Sequence, residues 1–231
     1  YYLRSPEDSA VEPNFFSSQG RTVTAKTYIE TLRKRFEFIR AQEGKFRKAA
    51  ALIAARVLEG GTLWVYDREQ ALLWEANVKA AGLFITNNQY TPECQLTSKD
   101  ILLIGAVEPD SPEDLTVAQR AAGEGAKIVA IAAATLQGRK TRGKLLAYAA
   151  DIVLDNHSPE ALGIVEAGKE GRRCCPTSGV MNDCIFWALC AAVADEFLFR
   201  GKVPTVYRGV HLFAGREYNE RAARRFKEVG Y

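Results

Sequence analysis

His157, the residue best suited to proton chemistry, comes shortly after a short apolar run. It lies in the segment 155–159 (DNHSP), and the apolar residues are at 152–154. An imidazole can donate, accept or transfer a proton near neutral pH, and Asn156 beside it is a candidate ligand contact through its amide. A simple turn is the alternative, because Asn, Ser and Pro favour turns in their own right. The residue types leave both interpretations open.

A second group of candidates opens a long, strongly apolar helix. The segment 176–179 (PTSG) is typical of a helix start, and Thr177 and Ser178 bring two hydroxyls to it. Together with the free backbone N–H groups of the first helical turn, these hydroxyls could bind an anion. A plain helix cap is the alternative explanation for the same residues.

A carboxylate, Glu75, lies in the helix predicted over residues 69–81. Proton transfer by this group would call for a raised pKa. The alternative is an ordinary surface carboxylate that pairs with Lys79, one helical turn further along.

The vicinal cysteines Cys174 and Cys175 have no base beside them, so the sequence gives little support to nucleophilic catalysis.

Alternating strands and helices must position these candidates. Short apolar runs predict five strands, at 62–66, 83–86, 101–104, 127–132 and 152–154. Helical periodicity, with a break near residue 44, predicts helices at 27–58, 69–81, 111–122, 176–199 and 218–229. This alternation predicts an α/β fold, a three-layer α/β/α sandwich around a five-stranded parallel sheet with helices at its N-terminus. Ligands of such sheets bind beyond the carboxyl ends of the strands.

Composition and periodicity together indicate the domain organisation. Residues 1–24 contain prolines, a glycine and several serines without steady periodicity, which predicts a loosely ordered arm. Residues 25–231 are then expected to form a single domain, a length at which one substantial core can be buried. The helix at 176–199 is apolar nearly all round, which predicts burial inside the subunit or between subunits. A homodimer contact is the favoured interpretation.

Charge and cysteine content narrow the class of partner. The 31 Lys and Arg residues are spread among 28 Asp and Glu residues, so nucleic acid is not an expected partner. The five cysteines lack CxxC or histidine spacing, which predicts reduced thiols and no metal site. The first residues lack the charged-then-apolar pattern of a leader, so we expect none, and the longest apolar run, 184–194, is too short to cross a bilayer. We therefore expect a cytoplasmic protein with no membrane contact, metal or cofactor.

Three blocks of the sequence resemble the sugar-isomerase (SIS) domain family. They are ADIVLDNHSPEAL at 150–162, PTSGVMNDCIFWAL at 176–189 and VYRGVHLFAGREYNER at 206–221. The family's small, phosphoheptose isomerase-like bacterial branch carries similar blocks in this order, and the resemblance extends over about residues 27–231. It implies a flavodoxin-like SIS fold, usually dimeric, that binds a carbohydrate derivative such as a phosphosugar at the strand carboxyl ends.

The resemblance also implies roles for individual residues. An aldose–ketose sugar phosphate isomerase needs a base, an acid and groups that bind the phosphate. Glu75 and His157 would transfer the protons. The implied ligand contacts are polar side chains at loop and helix ends: Ser111, Asn156, Thr177, Ser178 and Arg208.

Two loops depart from the family pattern. The family has a Gly- and Ser-rich turn after its first strand and a Ser/Thr-rich phosphate loop after its central strand, whereas this sequence has YDREQ at 66–70 and GAVEPD at 105–110. At the next helix, Ser111 is the expected cap, Pro112 removes one N–H, and Glu113 and Asp114 add negative charge, all of which oppose phosphate binding. The alternative function is therefore a catalytically degenerate SIS module that binds an unphosphorylated sugar or a related metabolite.

Overall fold

A five-stranded parallel sheet lies at the centre of the structure, a computed structural model that describes residues 25–68, 71–77, 79–136, 143–160, 163–166 and 172–231. Its strands are β1 Leu63–Asp67, β2 Asn88–Gln89, β3 Ile101–Gly105, β4 Lys127–Ala132 and β5 Ile152–Asp155. A separate antiparallel pair consists of β6 Val165–Glu166 and β7 Arg173–Cys174. The arm predicted for residues 1–24 lies outside the described residues.

Six α-helices surround the sheet within the described part of the chain. They are α1 Ala25–Arg40, α2 Glu43–Leu58, α3 Ala71–Ala76, α4 Pro112–Gly123, α5 Ser178–Phe199 and α6 Gly215–Val229. Short 3-10 turns occur at Phe84–Asn87 and Leu146–Tyr148. The N-terminal helices α1 and α2, with their break near residue 44, agree with the sequence prediction.

The strand order is β2-β1-β3-β4-β5, and every neighbouring pair is parallel. This is the flavodoxin-like order of doubly wound sheets. All five residues of β3 are buried, which explains why an uninterrupted apolar run rather than an alternating one marks this strand. The predicted α/β fold with a five-stranded parallel sheet is confirmed.

Two apolar cores, one on each face of the sheet, make the three layers. Along β3, Leu103 packs into the core under α2 and α5, while Leu102 and Ile104 pack into the core under α4. Successive residues of a strand point to opposite faces, so one central strand serves both cores. The apolar character of α5 is largely used inside the subunit, because Phe186 and Phe197 are fully buried in the first core.

The predicted strand at 83–86 is wrong. Phe84–Asn87 is a 3-10 turn, and the short edge strand β2 begins only at Asn88. Hydrogen bonds override the β-type composition here: the Thr86 hydroxyl donates to the carbonyl oxygens of Ala76 and Leu83 at 3.0 and 2.8 Å. The Phe84 N–H donates to the carbonyl oxygen of Thr205, also at 3.0 Å.

Two helix boundaries also differ from the sequence prediction. The helix predicted over 69–81 is described as helical only at Ala71–Ala76, and Ala81 has a left-handed φ of 66°. Positions 69, 70 and 78 lie outside the described residues. The terminal helix α6 begins at Gly215 rather than at 218.

Candidate functional site

A chain of buried amides crosses the carboxyl edge of the sheet. The Asn156 side chain, after β5, donates to the Asn182 side-chain oxygen on α5 at 2.7 Å and accepts from the Ser158 backbone N–H at 2.9 Å. The Asn182 amide in turn donates to the carbonyl oxygen of Ala106, after β3, at 3.4 Å. Asn156 therefore ties the loop after β5, through Asn182, to the loop after β3.

Arg35, on α1, is the centre of a second part of this network. Only 8% of the residue is exposed, and its guanidinium donates to the Ser158 hydroxyl at 3.1 Å. It also donates to the Thr177 hydroxyl and to the Glu160 carboxylate. The Thr177 hydroxyl completes the triangle by donating to the Ser158 hydroxyl at 3.0 Å.

Thr177 precedes α5 without capping it through its side chain. Its hydroxyl makes no hydrogen bond to the first-turn N–H groups and is used by Arg35 and Ser158 instead. Thr177 is therefore the N-cap residue by position, as the cap alternative has it, but its hydroxyl does not cap the helix. Ser178, the first residue of the helix, is 3% exposed.

Sequence reasoning missed Arg35, although a signal for it exists. The buried positions of α1 are Leu32, Arg35 and Ile39, so the arginine occupies the apolar stripe of the helix. A cation at such a position must find buried partners. The partners of Arg35 lie more than 120 positions away in the sequence, so its local sequence does not identify them.

His157 is held in a tight turn by the carboxylate of Asp155. Its φ is 50°, and its backbone N–H donates to one Asp155 oxygen at 2.8 Å, while Nδ1 lies 3.7 Å from the other. The same carboxylate accepts from the Ala134 N–H at 3.2 Å, which links the loops after β4 and β5. The imidazole ring centre lies 4.8 Å from that of Phe38 on α1, and the two ring planes are tilted by 30°. The segment thus forms a turn, and the His157 imidazole also has a defined position beside Phe38.

A cavity of about 330 Å³ lies between α1 and the carboxyl ends of β4 and β5. Its polar walls carry both charge signs, and Phe38 gives it one aromatic wall. The lining residues are Thr31, Lys34, Arg35, Phe38, Ala133, Thr135, Asp155, His157, Pro159 and Glu160. The cavity therefore combines an imidazole, hydroxyls and cations at the edge of the sheet where ligands of this fold class bind.

Glu75 lies elsewhere, on α3, where it contacts α5. Its carboxylate accepts from Lys79 Nζ at 2.9 Å and from Trp187 Nε1 at 3.1 Å. The hydrogen bond from Lys79 is the main reason why the pKa of Glu75 is lowered, not raised as a proton-transfer role would call for. The partners of Glu75 and those of His157 are different residues on different elements.

Asp183, in the first turns of α5, has the ionisation behaviour that was expected of Glu75. Burial, followed by the negative charges of Glu75 and Asp67, raises the pKa of Asp183 to about 6. Its Oδ1 atom is buried and accepts no hydrogen bond from the part of the chain that is described. The sequence around Asp183 is apolar and gives no local sign of this environment.

Ser111 caps α4 as the sequence predicts. Its hydroxyl accepts from the Asp114 N–H at 3.2 Å and donates to the Glu113 carboxylate at 3.0 Å. The Asp114 carboxylate is fully buried, and Arg68 Nε lies 3.7 Å from it. Ser111 thus has two partners inside its own helical turn.

Arg208 is exposed and associated with α6. Its backbone N–H and carbonyl oxygen both bond the Asn219 side chain at 2.8 Å, and its guanidinium lies 6.0 Å from the Tyr218 ring centre. The structure therefore brings Asn156, His157 and Thr177 together beside the cavity, whereas Glu75, Ser111 and Arg208 lie in separate surroundings.

The described residues provide no candidate metal site and no candidate membrane-spanning helix. His, Cys, Asp and Glu side chains in these segments form no group of three or more that could hold a metal ion. None of the helices described is both long and apolar enough to cross a membrane.

The chain is similar to bacterial proteins named UPF0309. It is 23% identical to one from Shouchella clausii over 213 residues, covering 78% of this chain and 87% of the relative. It is 24% identical to another from Listeria monocytogenes, covering 79% of this chain and 88% of the relative. A solved phosphoheptose isomerase from Francisella tularensis superposes with a TM-score of 0.46 at 15% identity, over 74% of this chain and 98% of the other. No protein-family model matches this chain.

Proposed function

We propose that this protein is an SIS-type domain that binds a carbohydrate derivative, above all a phosphosugar, in the cavity beside His157. The observation that carries the proposal is the place of that cavity, beyond the carboxyl ends of β4 and β5. Its volume of about 330 Å³ suits a monosaccharide-sized ligand. The three sequence blocks that resemble the SIS family supply independent support.

The lining chemistry matches a polyol better than an apolar ligand. Asp155 and the hydroxyls of Thr31 and Thr135 can exchange hydrogen bonds with sugar hydroxyls. Phe38, which is 55% exposed, offers an apolar surface to one side of a sugar ring. Lys34, exposed at the cavity edge, is the cation placed to meet a phosphate.

If the protein is an enzyme, we propose that it catalyses aldose–ketose isomerisation of a sugar phosphate. His157 would carry the proton between adjacent carbons, because it is the histidine that lines the cavity. Asn156, Thr177 and Ser178 would shape the site from beneath, whereas Glu75, which lies outside the cavity and pairs with Lys79, would take no part in the proton transfer. Ser111 and Arg208 would contact the ligand only from outside the cavity or from a second subunit.

The second candidate is a non-catalytic module that binds an unphosphorylated sugar. The geometry at α4 favours it, since Ser111 and Asp114 occupy the helix start where a phosphate would otherwise be bound. The negative charges of Glu113 and Asp114 would repel such a phosphate.

Thermal denaturation with sugars and their phosphates separates these candidates. A ligand at about a hundred times its dissociation constant should stabilise the folded protein by about 2.7 kcal/mol. Phosphosugars should raise the melting temperature, and Phe38→Ala should abolish the rise, whereas Phe199→Ala, at a side chain that is 86% exposed on α5, should leave it intact. Stabilisation by neutral sugars alone would favour the second candidate. No shift with either class would reject both.

Turnover is tested separately from binding. Aldose and ketose phosphates that bind should interconvert, and His157→Gln should remove conversion while keeping the thermal shift. Conversion at the wild-type rate in His157→Gln would exclude the proposed role of this histidine.

The proposal also includes an assembly and a cellular location. A single domain over residues 25–231 would form a homodimer, supported by the exposed apolar side chains of Val210, Leu212 and Phe213 before α6. The five free cysteines fit a cytoplasmic protein, and the proposed function calls for no cofactor or metal. Sedimentation that gives only a monomer would refute the dimer.

A further inference from the structure

Cys174 and Cys175 form a vicinal pair of exposed thiols just before α5. Both are free, and their sulfur atoms lie 3.7 Å apart. Cys175 has a φ of 59°, in the left-handed region that residues other than glycine seldom adopt. Such outliers persist where the surrounding structure holds them, and they concentrate at functional and switch sites. The proposed sugar chemistry uses neither sulfur.

Contacts on two sides hold this backbone conformation. Cys174 pairs with Val165 in the β6–β7 pair, and the Ile164 N–H donates to the Cys175 carbonyl oxygen at 3.4 Å. Gly163 lies so close that a Cβ there would be 2.3 Å from the Cys174 carbonyl oxygen. The thiols are therefore exposed on a segment whose backbone is closely packed.

One residue, Pro176, separates Cys175 from the buried network of Arg35. The Pro176 carbonyl oxygen accepts from the Tyr28 hydroxyl of α1 at 3.0 Å. The next residue, Thr177, is 2% exposed and accepts from the Arg35 guanidinium. A change of backbone conformation at Cys175 must therefore reach Thr177 within two peptide units.

We propose that Cys174 and Cys175 are a reversible oxidation site at which low-molecular-weight disulfides produce a vicinal disulfide, and that this modification loosens the contact between Thr177 and Arg35. One thiolate attacks a sulfur of the disulfide RS–SR, forms a mixed disulfide and releases one thiolate. The second cysteine, after losing its proton, attacks the cysteine sulfur of the mixed disulfide and releases the other. Two cysteine thiols are oxidised, one disulfide is reduced to two thiols, and the cysteine protons pass to the products.

The adjacency of the two residues makes the product easy to reduce again. Neighbouring Cα atoms across a trans peptide lie about 3.8 Å apart, whereas disulfides usually join Cα atoms about 4.4–6.8 Å apart. The sulfurs must close from 3.7 Å to about 2.05 Å, so the backbone around Cys175 must turn. Strained disulfides of this kind are the labile, regulatory ones.

Oxidised glutathione is the probe for the chemical step, read by mass spectrometry after free thiols are alkylated. Cleavage by trypsin and by a protease that cuts before Asp isolates residues 174–182 from the remaining cysteines. In the wild type this peptide should be unalkylated and lighter by two hydrogen atoms, and dithiothreitol should reverse the change. C174S and C175S should each stop at a lasting mixed disulfide, while C94S should behave as the wild type. Unmodified thiols, or mixed disulfides that persist in the wild type, would overturn the proposal.

Hydrogen exchange tests the loosening. Oxidation should speed amide exchange several-fold at Met181, whose N–H donates to the Thr177 carbonyl oxygen at 3.0 Å, and the C174S/C175S double variant should show no response to glutathione. Equal exchange in the oxidised and reduced wild type would refute the loosening. Both readouts work without a ligand, so they stand apart from the sugar-binding assays. Any effect of oxidation on sugar affinity rests on the proposed function.

Discussion

Replacing Arg35 by methionine should lower the free energy of unfolding by about 3–5 kcal/mol. The Arg35 side chain is 9% exposed, and its ion-pair partner Glu160 is 19% exposed. Methionine has a similar length but donates nothing, so Glu160 loses its cation and the hydroxyls of Ser158 and Thr177 lose a donor. The uncompensated carboxylate dominates the loss, because a neutral hydrogen bond contributes only about 0.5–1.5 kcal/mol.

Urea unfolding, followed by tryptophan fluorescence, measures this loss. The matched control is Arg33→Met on the same helix: Arg33 is 64% exposed and pairs with Glu30, so its replacement should change stability by at most about 0.5 kcal/mol. Adding Glu160→Gln to Arg35→Met should return part of the loss, because the amide needs no cation. Equal effects of Arg33→Met and Arg35→Met would refute the argument that the buried network stabilises the fold.

Three further predictions concern pH, backbone space and helix capping. Burial raises the pKa of Asp183 to about 6, above the value of about 3.9 expected for unfolded chains. The stability of the fold should therefore fall as pH rises through this interval. Asp183→Asn should flatten this decline, which is measured as the urea midpoint from pH 4 to pH 8. Gly61→Ala would place a Cβ 2.1 Å from the Lys99 carbonyl oxygen and should destabilise the fold by about 2 kcal/mol or more. Gly44→Ala, which has open space around it in α2, should instead stabilise the fold by about 0.5–1 kcal/mol. Melting temperatures that move in the same direction in both variants would contradict this prediction. Ser111→Ala removes the cap of α4 and should cost about 1 kcal/mol in urea unfolding, and an unchanged midpoint would show that the cap is dispensable.

The sheet and its helices were largely predictable because their signals are local. Continuous apolar runs marked β3 and β4, and Ser111 followed by Pro112 marked the start of α4 within one residue. The failure at 83–86 has an equally plain cause. That run has strand-like composition, but bonds to Ala76 and Thr205 bend it into a 3-10 turn.

The candidate site was predictable only in part. His157 and Asn156 were found because residues that follow a strand lie at the ligand-binding edge of a parallel sheet. Arg35 and Asp183 were missed, since nothing within a few positions of either residue reveals its partners. For Glu75, the alternative pairing with Lys79 was correct, and the raised pKa belongs to its neighbour on α5.

The sequence by itself determined the strands and helices that form the three layers of this protein. Burial of a strand on both faces produces a continuous apolar run, and a helix cap is a short local motif, so both can be identified from consecutive residues. The tertiary structure decided which polar groups meet. Arg35 reaches Thr177 across 142 positions, and Asn156 reaches Asn182 across 26. Hydrogen bonds and charges act over a few ångströms in space, and only the folded chain brings such distant positions that close.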